Sequence, residues 1–414
     1  MTSTAAEPSL WRNRDFVTLW SGQVVSTLGA RISSTAMPLL VLATTGEPAD
    51  AGLVGAAGTL PFLIAYLPAG PLVDRYSRHR ILLTSEILAC LALATVPVTL
   101  WLGLLTITQL IVVAFVQGLC FVFFSLAETA ALPRIVPAVQ LPAAVAQNEA
   151  RNRGAALAGG PIGGLLFGID RALPFLADAI SYAAASIALL FLRRDLQNKT
   201  TAPTEPLRQA TMAGLRWIWR HPLIRTATLL ITATNLVFQA LVLTIVVLAQ
   251  RHGATSGTIG TMLGIYAGGG LVGALVAGRA HRSFTPRMVI IGVNWIWAAL
   301  LPLFLLTTNP LLIGVIGAAT AFISPLWNVV IISYSALLVP NELLGRVTSA
   351  AMTLAWGAMP IGSLGAGLLL TTAGPTGAVL ALTAVMLVTA VCATISPSVR
   401  SAPPLTPHKG QVAT

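Results

Sequence analysis

Four ionisable residues interrupt long apolar runs and are the first candidates for chemistry: Arg31, Glu86, Glu128 and Asp178. A charge inside such a run is costly unless it is paired, so these residues indicate either structural pairs or a functional site. The acids could take up and release protons, which makes them candidates for coupling. Arg31 lies near the middle of its run and needs an acid, water or a bound ligand as its partner.

Structural roles stay open for two of these acids. Asp178 lies about one turn into its apolar run, where capping or packing also accounts for a carboxyl group. Glu86 lies near the cytoplasmic end of its run, where an ion pair with a loop arginine explains it equally well. Position along the sequence does not decide between proton carriage and these alternatives.

Membrane-spanning helices are the elements that must position these residues. Of the 414 residues, 56% are hydrophobic and 9% are charged, which leaves too little polar surface for a soluble domain. A helix needs roughly 20 apolar residues to cross a bilayer. We predict twelve such spans, at residues 17–43, 51–73, 81–102, 106–130, 147–168, 174–192, 223–249, 258–279, 287–307, 310–334, 349–372 and 376–396.

The basic residues indicate the orientation of these spans. When the N-terminus is placed in the cytoplasm, 21 of the 24 lysines and arginines fall on the cytoplasmic side. This asymmetry is the positive-inside rule, and it predicts that both termini are cytoplasmic. The net charge of +11 therefore follows from topology and does not indicate a nucleic-acid partner. The first apolar run is too long for a cleaved signal peptide.

Two cytoplasmic junctions recur about half a chain apart. AGPLVDRYSRHRILL after span 2 is echoed by AGRAHRSFTPRMVI after span 8, with Gly70 matching Gly278. IVPAVQLPAAVAQ before span 5 is echoed by LLVPNELLGRVTS before span 11. Such repetition predicts two six-helix bundles, as many transporters have. We place the first bundle at 1–194, a linker with an amphipathic helix at 195–222, the second bundle at 223–397 and a tail at 398–414.

The junction after span 2 resembles a signature of the major facilitator superfamily. Gly70, Asp74, Arg75, Arg78 and Arg80 fit the signature, and Ser77 replaces its second glycine. SLWRNRDFVTLWSGQVVSTLGARIS, FLADAISY and GLRWIWRHPLIR are similar to the branch that contains macrolide and siderophore exporters. The resemblance implies an all-α polytopic membrane protein with twelve transmembrane helices in two pseudo-symmetric bundles.

The resemblance also implies a conformational latch on the cytoplasmic side. In the family, the aspartate of the signature meets the start of span 11, and a nearby arginine pairs with an acid in span 4. Here Asp74 would face the region of Thr348, and Arg78 would face Glu128. With Gly70 and Arg75, these residues form the expected latch, which would help set the alternating-access equilibrium.

A substrate path is expected between the bundles, where spans 1, 4, 7 and 10 meet. Polar residues follow one helical face in span 7 and are concentrated in spans 1 and 10. The alternative is that they make hydrogen bonds between helices. The candidates for the cavity are Gln23, Thr27, Arg31, Ser34, Thr228, Thr232, Asn235, Gln239, Ser324, Trp327 and Asn328.

The sequence departs from the family at positions that concern coupling. Related exporters often carry an aspartate in span 1 where this chain has Ala30, and Ala114 replaces the arginine of the span 4 signature. The antiporter motif of span 5 is present with its proline shifted by one residue. Its members are Gly159, Gly160, Pro161, Gly163 and Gly164. Antiport is implied by the resemblance, but its usual proton site is not intact.

Other motifs do not indicate enzymatic chemistry. Gly268, Gly270 and Gly273 satisfy GxGxxG, but they lie in an apolar run with no preceding strand. No nucleotide-binding GxxxxGK[ST] motif occurs. The histidines fall in loops or tails, so neither a metal site nor a catalytic triad is predicted. The three cysteines lie in apolar runs and do not indicate disulfides. We expect no enzyme activity and no cofactor.

The expected function is secondary active export of an amphipathic small molecule, such as a drug or secondary metabolite, by proton antiport from a bacterial plasma membrane. The protein is expected to act as a monomer. A siderophore or lysolipid-type amphiphile is an alternative substrate. A transporter-like sensor or scaffold that binds without translocating is an alternative of another class, prompted by Ala30 and Ala114.

Overall fold

The structure is a computed structural model that describes residues 9–192, 196, 207–280 and 284–402. Every regular element in these ranges is helical. Long apolar runs that lie in a bilayer must hydrogen-bond every backbone group internally, and a helix does so within one segment. The α-helices are α1 Arg14–Thr45, α2 Pro48–Ile64, α3 Tyr66–Arg75, α4 Arg78–Trp101, α5 Ile107–Ile135, α6 Leu141–Ile169, α7 Leu173–Leu190, α8 Leu207–Arg220, α9 Pro222–Arg251, α10 Ser256–Ala280, α11 Pro286–Leu300, α12 Pro310–Leu338, α13 Asn341–Gly357, α14 Met359–Ile395 and α15 Pro397–Arg400.

The helices coincide with the predicted spans and are consistent with twelve crossings. Within the described ranges, nine helical stretches are long and apolar enough to span, and the bent pair α2 and α3 makes a tenth. One of the nine, Arg346–Ile395, is 50 residues long and covers two predicted spans. Helix α6 matches the predicted span 147–168, but its glycines and charged residues keep its hydropathy low.

Two predicted spans are broken rather than continuous, and proline is the cause in each. The first break separates α2 from α3 by a 57° bend. Pro68 follows this bend and has no N–H to donate to the carbonyl of Ile64. The second break, at Ala358, separates α13 from α14, and Pro360 cannot donate to the carbonyl of Trp356. The broken helices face each other, and Phe62 and Tyr66 pack edge-on against Trp356.

The last two predicted spans are joined by a single glycine turn. Gly374 has φ 68° and ψ −179°, a conformation that is open almost only to glycine, and Pro375 follows it. Helix α14 therefore consists of two helical segments that meet at a kink at this residue. The boundary lies between the predicted spans 349–372 and 376–396. Another difference from the prediction is that residues Leu301–Leu306 form a 3-10 helix after α11.

Two helix pairs provide most of the packing between the two halves of the chain. Helix α6 packs along α10, and α2 packs along α14. Within the first half, α1 lies against α6 and α7, and α4 lies against α5 and α7. Helix α8, in the predicted linker, contacts α13 and α3. Most of the linker before α8 and most of the tail lie outside the described residues, so the division into two bundles stays a prediction.

Candidate functional site

A cavity of about 330 Å³ lies among α1, α2, α5, α7, α9 and α14. Its wall is largely apolar, with Met37, Val41, Phe121, Val242 and Leu243 among the contributors. A few polar groups project into it, and no charged side chain of the described residues lines it. The polar lining residues are Ser33, Ser34, Gln117, Tyr182, Gln239 and Ser363. Size and composition fit a small-molecule site.

The two positions that depart from the family lie in the wall of this cavity. Ala30 and Ala114 both line it, on α1 and α5. An aspartate at the first position and an arginine at the second would place opposite charges in the cavity. Their replacement by alanine therefore makes this wall apolar and uncharged.

Two of the predicted cavity residues line this cavity. Ser34 does so from α1 and Gln239 from α9. The side-chain amide of Gln239 donates to the hydroxyl of Ser363 at 3.0 Å, which joins α9 to α14 at the cavity wall. Asn235, one turn from Gln239, donates to the carbonyl of Ala355 at 2.9 Å. The predicted polar stripe of span 7 thus also makes hydrogen bonds between helices.

The other predicted cavity residues lie elsewhere. Gln23, Thr228 and Trp327 are buried within the protein and do not line this cavity, so their role in a substrate path stays a prediction. Helical periodicity identified a polar face but did not show which neighbour covers it. The remaining candidates are partly or fully exposed outside the lining of this cavity, and their role stays a prediction: Thr27, Arg31, Thr232, Ser324 and Asn328.

Glu86 lies in a polar pocket between α1 and α4. It is 2% exposed, and its carboxylate accepts hydrogen bonds from the side-chain amide of Gln23 at 2.8 Å and from the hydroxyl of Ser26 at 3.2 Å. Among the described residues, neutral donors therefore hold this acid, and the ion pair with a loop arginine that the sequence left open is not formed. Acids inside membrane-spanning segments often belong to proton relays of pumps and transporters, so Glu86 stays a candidate for coupling.

Asp178 has the same kind of surroundings one helix away, on α7. It is 1% exposed and accepts hydrogen bonds from the hydroxyl of Ser33 and from that of Ser181, the latter at 3.2 Å. Gly29 permits this approach, because a Cβ there would lie 2.6 Å from the Asp178 carboxylate. The acid does not cap α7, which begins at Leu173. Since Ser33 lines the cavity, one hydroxyl group separates Asp178 from it.

The sequence singled out polar residues of span 1, Gln23 among them, but it did not predict that this helix supplies hydrogen-bond donors to the two acids. Ser26, Gly29 and Ser33 share one face of α1, at spacings of three and four residues. That spacing was the available signal, because it places small and hydroxyl-bearing residues on the face toward α4 and α7. The cavity residues Gln117, Tyr182 and Ser363 were also missed, since each is a single polar residue in an apolar run.

Glu128 forms an ion pair with Arg151 instead of the predicted pair with Arg78. Both carboxylate oxygens of Glu128 accept from the guanidinium of Arg151, at 2.8 and 3.2 Å, and both side chains are largely buried. The prediction was wrong on this partner because α5 and α6, which follow each other in the chain, bring these side chains together. In this bidentate pair both carboxylate oxygens of Glu128 are engaged by the guanidinium.

Arg78 is buried at the start of α4 and connects three segments of the first half. Its guanidinium donates to the carbonyls of Ala130 at 2.9 Å and of Leu196 at 3.2 Å. It also forms an ion pair with Asp74 at 3.3 Å, whose side chain is 53% exposed. These contacts hold the end of α3 and the start of α4 to the end of α5.

The other expected latch residues occupy the same end of the molecule. Helix α3, which carries Gly70, Asp74 and Arg75, contacts α13, on which Thr348 is exposed. The guanidinium of Arg75 lies 6.0 Å from the ring centre of Tyr76. A Cβ at Gly70 would meet no atom within 4 Å, so close packing does not require glycine there in this structure.

The glycines of the span 5 motif let α6 approach its neighbours closely. A Cβ at Gly160 would lie 2.9 Å from the carbonyl of Gly260, and one at Gly163 would lie 2.7 Å from that of Ile32. At Gly164 it would lie 2.8 Å from the Cα of Gly260. The motif therefore forms a seam in which α6 meets α1 on one side and α10 on the other.

We expect Gly164→Ala to lower the apparent melting temperature of the purified protein by several degrees, because the added methyl group forces α6 and α10 apart. Gly154→Ala is the matched control on the same helix. A Cβ at Gly154 meets nothing within 4 Å, so alanine there should leave the melting temperature unchanged or raise it. Equal melting temperatures for the two variants would contradict the seam.

A family model described as transmembrane secretion effector matches residues 5–403. The chain belongs to this family. It lies within the major facilitator superfamily, as the motif after span 2 predicted, and the protein is a multi-pass membrane transporter.

Relatives match over most of the chain. The multidrug efflux pump Tap of Mycolicibacterium fortuitum is 30% identical over 387 residues, which cover 90% of this chain and 93% of that protein. Macrolide efflux protein A of Streptococcus pyogenes is 23% identical over 179 residues, or 43% of this chain and 44% of that protein.

Solved structures share the fold. A bacterial homologue of the iron transporter ferroportin, in an inward-facing state, has a TM-score of 0.72 at 15% identity and covers 94% of this chain and 99% of its own. A bacterial homologue of the human lysosomal transporter Spinster has a TM-score of 0.68 at 13% identity and covers 95% and 96%. At these identities the likeness concerns architecture alone.

Proposed function

We propose that this transporter exports an amphipathic small molecule by proton antiport with alternating access. One observation carries the proposal: Asp178, a buried acid without a cationic partner among the described residues, is hydrogen-bonded to Ser33 in the wall of the cavity. A ligand that enters the cavity can therefore alter the hydrogen bond between Ser33 and Asp178. Protonation of Asp178 can in turn alter the Ser33 hydroxyl in the cavity wall. The efflux pumps among the relatives support the direction of transport.

The cavity supports an amphipathic substrate. Its wall is mostly apolar, and Gln117, Gln239 and Ser363 supply hydrogen-bonding groups in different directions. Apolar contact with such a wall gives affinity that depends little on exact shape, while the few polar groups orient the ligand. A drug or secondary metabolite is the substrate we propose. A siderophore or lysolipid-type amphiphile would use the same contacts.

Glu86 and Asp178 are the proposed coupling groups. Both are buried, both are held by neutral donors, and both pack against the same face of α1. They take the place of the aspartate that related exporters carry where this chain has Ala30. Glu128 is not assigned this role, because its carboxylate is engaged in a bidentate ion pair with Arg151.

The proposed latch consists of Gly70, Asp74, Arg75, Arg78 and Thr348 at the contact of α3 with α13. Asp74 lies at the end of α3, where it is exposed and paired with Arg78. A carboxylate that faces the first turns of α13 would be favoured by the positive end of that helix. Loss of this contact would let the cytoplasmic ends of the halves separate.

The proposed location is a bacterial plasma membrane with both termini in the cytoplasm, as the distribution of basic residues predicts. The proposed unit is a monomer, because alternating access in this fold uses the two halves of one chain. Export from the cytoplasm then means transport into inside-out membrane vesicles.

Uptake into such vesicles tests the proposal. Vesicles that contain the protein should accumulate at least one compound from a panel of anionic, neutral and cationic amphiphiles when their interior is acidic, and the accumulation should stop when nigericin collapses the pH gradient. Vesicles without the protein are the control. Saturable binding of a compound without any gradient-dependent uptake, across the whole panel, would overturn export and favour a sensor or scaffold that binds without translocating.

A further inference from the structure

Arg31 is a cation near the middle of α1, yet its side chain is exposed in the structure. Its backbone carbonyl accepts from the hydroxyls of Ser34 and Thr35. None of the hydrogen bonds or ion pairs among the described residues involves its guanidinium. Gly159 of α6 packs directly against the backbone and Cβ of Arg31, so the residue lies where α1 meets α6.

The second half of the chain offers no acid for this cation within its spans. Between residues 223 and 397 the only acidic residue is Glu342, at the start of α13. A counter-charge for Arg31 from across the interface between the halves is therefore excluded at membrane depth.

The acids of the first half are already engaged elsewhere. Glu86 and Asp178 lie against the face of α1 that carries Gln23, Ser26 and Ser33, roughly opposite Arg31 on the helical wheel. Glu128 is paired with Arg151 and Glu149 with Arg153. No carboxylate of the described spans is left to neutralise Arg31.

A second arginine adds a positive charge to this part of α6. Arg153 lies less than two helical turns before Gly159, the residue that packs against Arg31. It also reaches the interface between the halves, since its Nη1 lies 3.5 Å from the place of a Cβ on Gly270 of α10. Its partner Glu149 is 56% exposed, so this ion pair is screened by solvent and weak.

We infer that Arg31, assisted by Arg153, binds an acidic group of the transported molecule, and that the substrate class is an amphiphile bearing a carboxylate, sulfonate or phosphate. An unpaired cation at this depth is costly, and an anionic ligand relieves that cost, whereas a cationic ligand increases it. Ser34 lies one turn from Arg31 on the same face and lines the cavity. The acidic group of one ligand can thus lie at Arg31 while its apolar part lies in the cavity.

This inference rests on the proposed function for the use of the site, but its test measures binding alone. Fluorescein and rhodamine 123 share a xanthene core and carry opposite charges at neutral pH. We expect fluorescence polarisation with the purified protein in dodecyl maltoside to show saturable binding of fluorescein that is at least about tenfold tighter than that of rhodamine 123. A tenfold ratio is what one favourable charge contact of about 1.4 kcal/mol gives.

Variants locate the effect. Arg31→Gln should weaken fluorescein binding about tenfold or more and leave rhodamine 123 unchanged or tighter, whereas Arg31→Lys should retain part of the selectivity. Arg80→Gln, which removes an exposed arginine at the start of α4, should change neither dye. The melting temperature of each variant shows whether it is folded.

Three outcomes would overturn the inference: rhodamine 123 binding as tightly as fluorescein, folded Arg31→Gln binding fluorescein like the unchanged protein, or no saturable fluorescein binding. Displacement of fluorescein by phosphatidylglycerol at low molar ratio would assign the site to a lipid headgroup and also overturn the substrate class. None of these results bears on gradient-driven uptake, so the vesicle assay judges the proposed function separately.

Discussion

Replacement of Asp178 by asparagine is expected to abolish uptake driven by the pH gradient while ligand binding persists. Asparagine keeps the size of the side chain and can accept from Ser33 and Ser181, but it cannot bind and release a proton. The cavity, which Asp178 reaches only through Ser33, should keep its shape. Binding would then be disconnected from the driving force.

The measurement compares gradient-driven uptake with equilibrium binding of the same compound in vesicles and in detergent. Glu86→Gln is expected to lose driven uptake as well, because Glu86 has equivalent neutral partners. Asp170→Asn is the matched control, since Asp170 is exposed before α7 and asparagine can still accept from the N–H of Ala172. Full driven uptake by both Asp178→Asn and Glu86→Gln would exclude these acids from coupling.

Replacement of Arg78 by glutamine is expected to have the second large effect, on stability and transport together. One Nη group of Arg78 binds two backbone carbonyls, those of Ala130 and Leu196. Glutamine is too short to reach both. A hydrogen bond to a charged group contributes about 1.5–3 kcal/mol, so the loss of both bonds costs about 3–6 kcal/mol in total.

Thermal unfolding and vesicle uptake of the same preparations measure this effect. Arg80→Gln, two residues along α4 and exposed, should match the unchanged protein in both. Asp74→Asn separates the latch from stability: its exposed ion pair contributes about 0–1 kcal/mol, so the melting temperature should hold while transport falls. An Arg78→Gln protein as stable as the Arg80→Gln protein would refute the bridging role.

The sequence was sufficient to predict the transmembrane helices, because apolar length alone decides which segments can cross a bilayer. All twelve predicted apolar runs lie in helices of the structure. The breaks at Ala65 and Ala358 were not predicted, although Pro68 and Pro360 were visible. A membrane helix tolerates a proline bend where neighbouring helices accommodate it. Here Trp356 packs against Phe62 and Tyr66, which lie on either side of the break at Ala65.

The candidate site was predicted only in part. The sequence marked Glu86, Glu128 and Asp178 as equivalent acids, because each interrupts an apolar run. The structure separates them by their partners: hydroxyl and amide groups for Glu86 and Asp178, and a guanidinium for Glu128. Most of these partners come from other helices. Ser33 and Asp178 lie far apart in the sequence, and nothing in the sequence indicates that they touch.

The sequence by itself determined the helical membrane fold, the family and the set of ionisable residues in the spans, since these depend on composition, run length and local motif. Only the tertiary structure decided that Arg151, not Arg78, pairs with Glu128, that Gln23 faces Glu86 instead of the cavity, and that Arg31 is left without an acid. The physical reason is that each pairing depends on how helices rotate and pack against one another, which many residues jointly set.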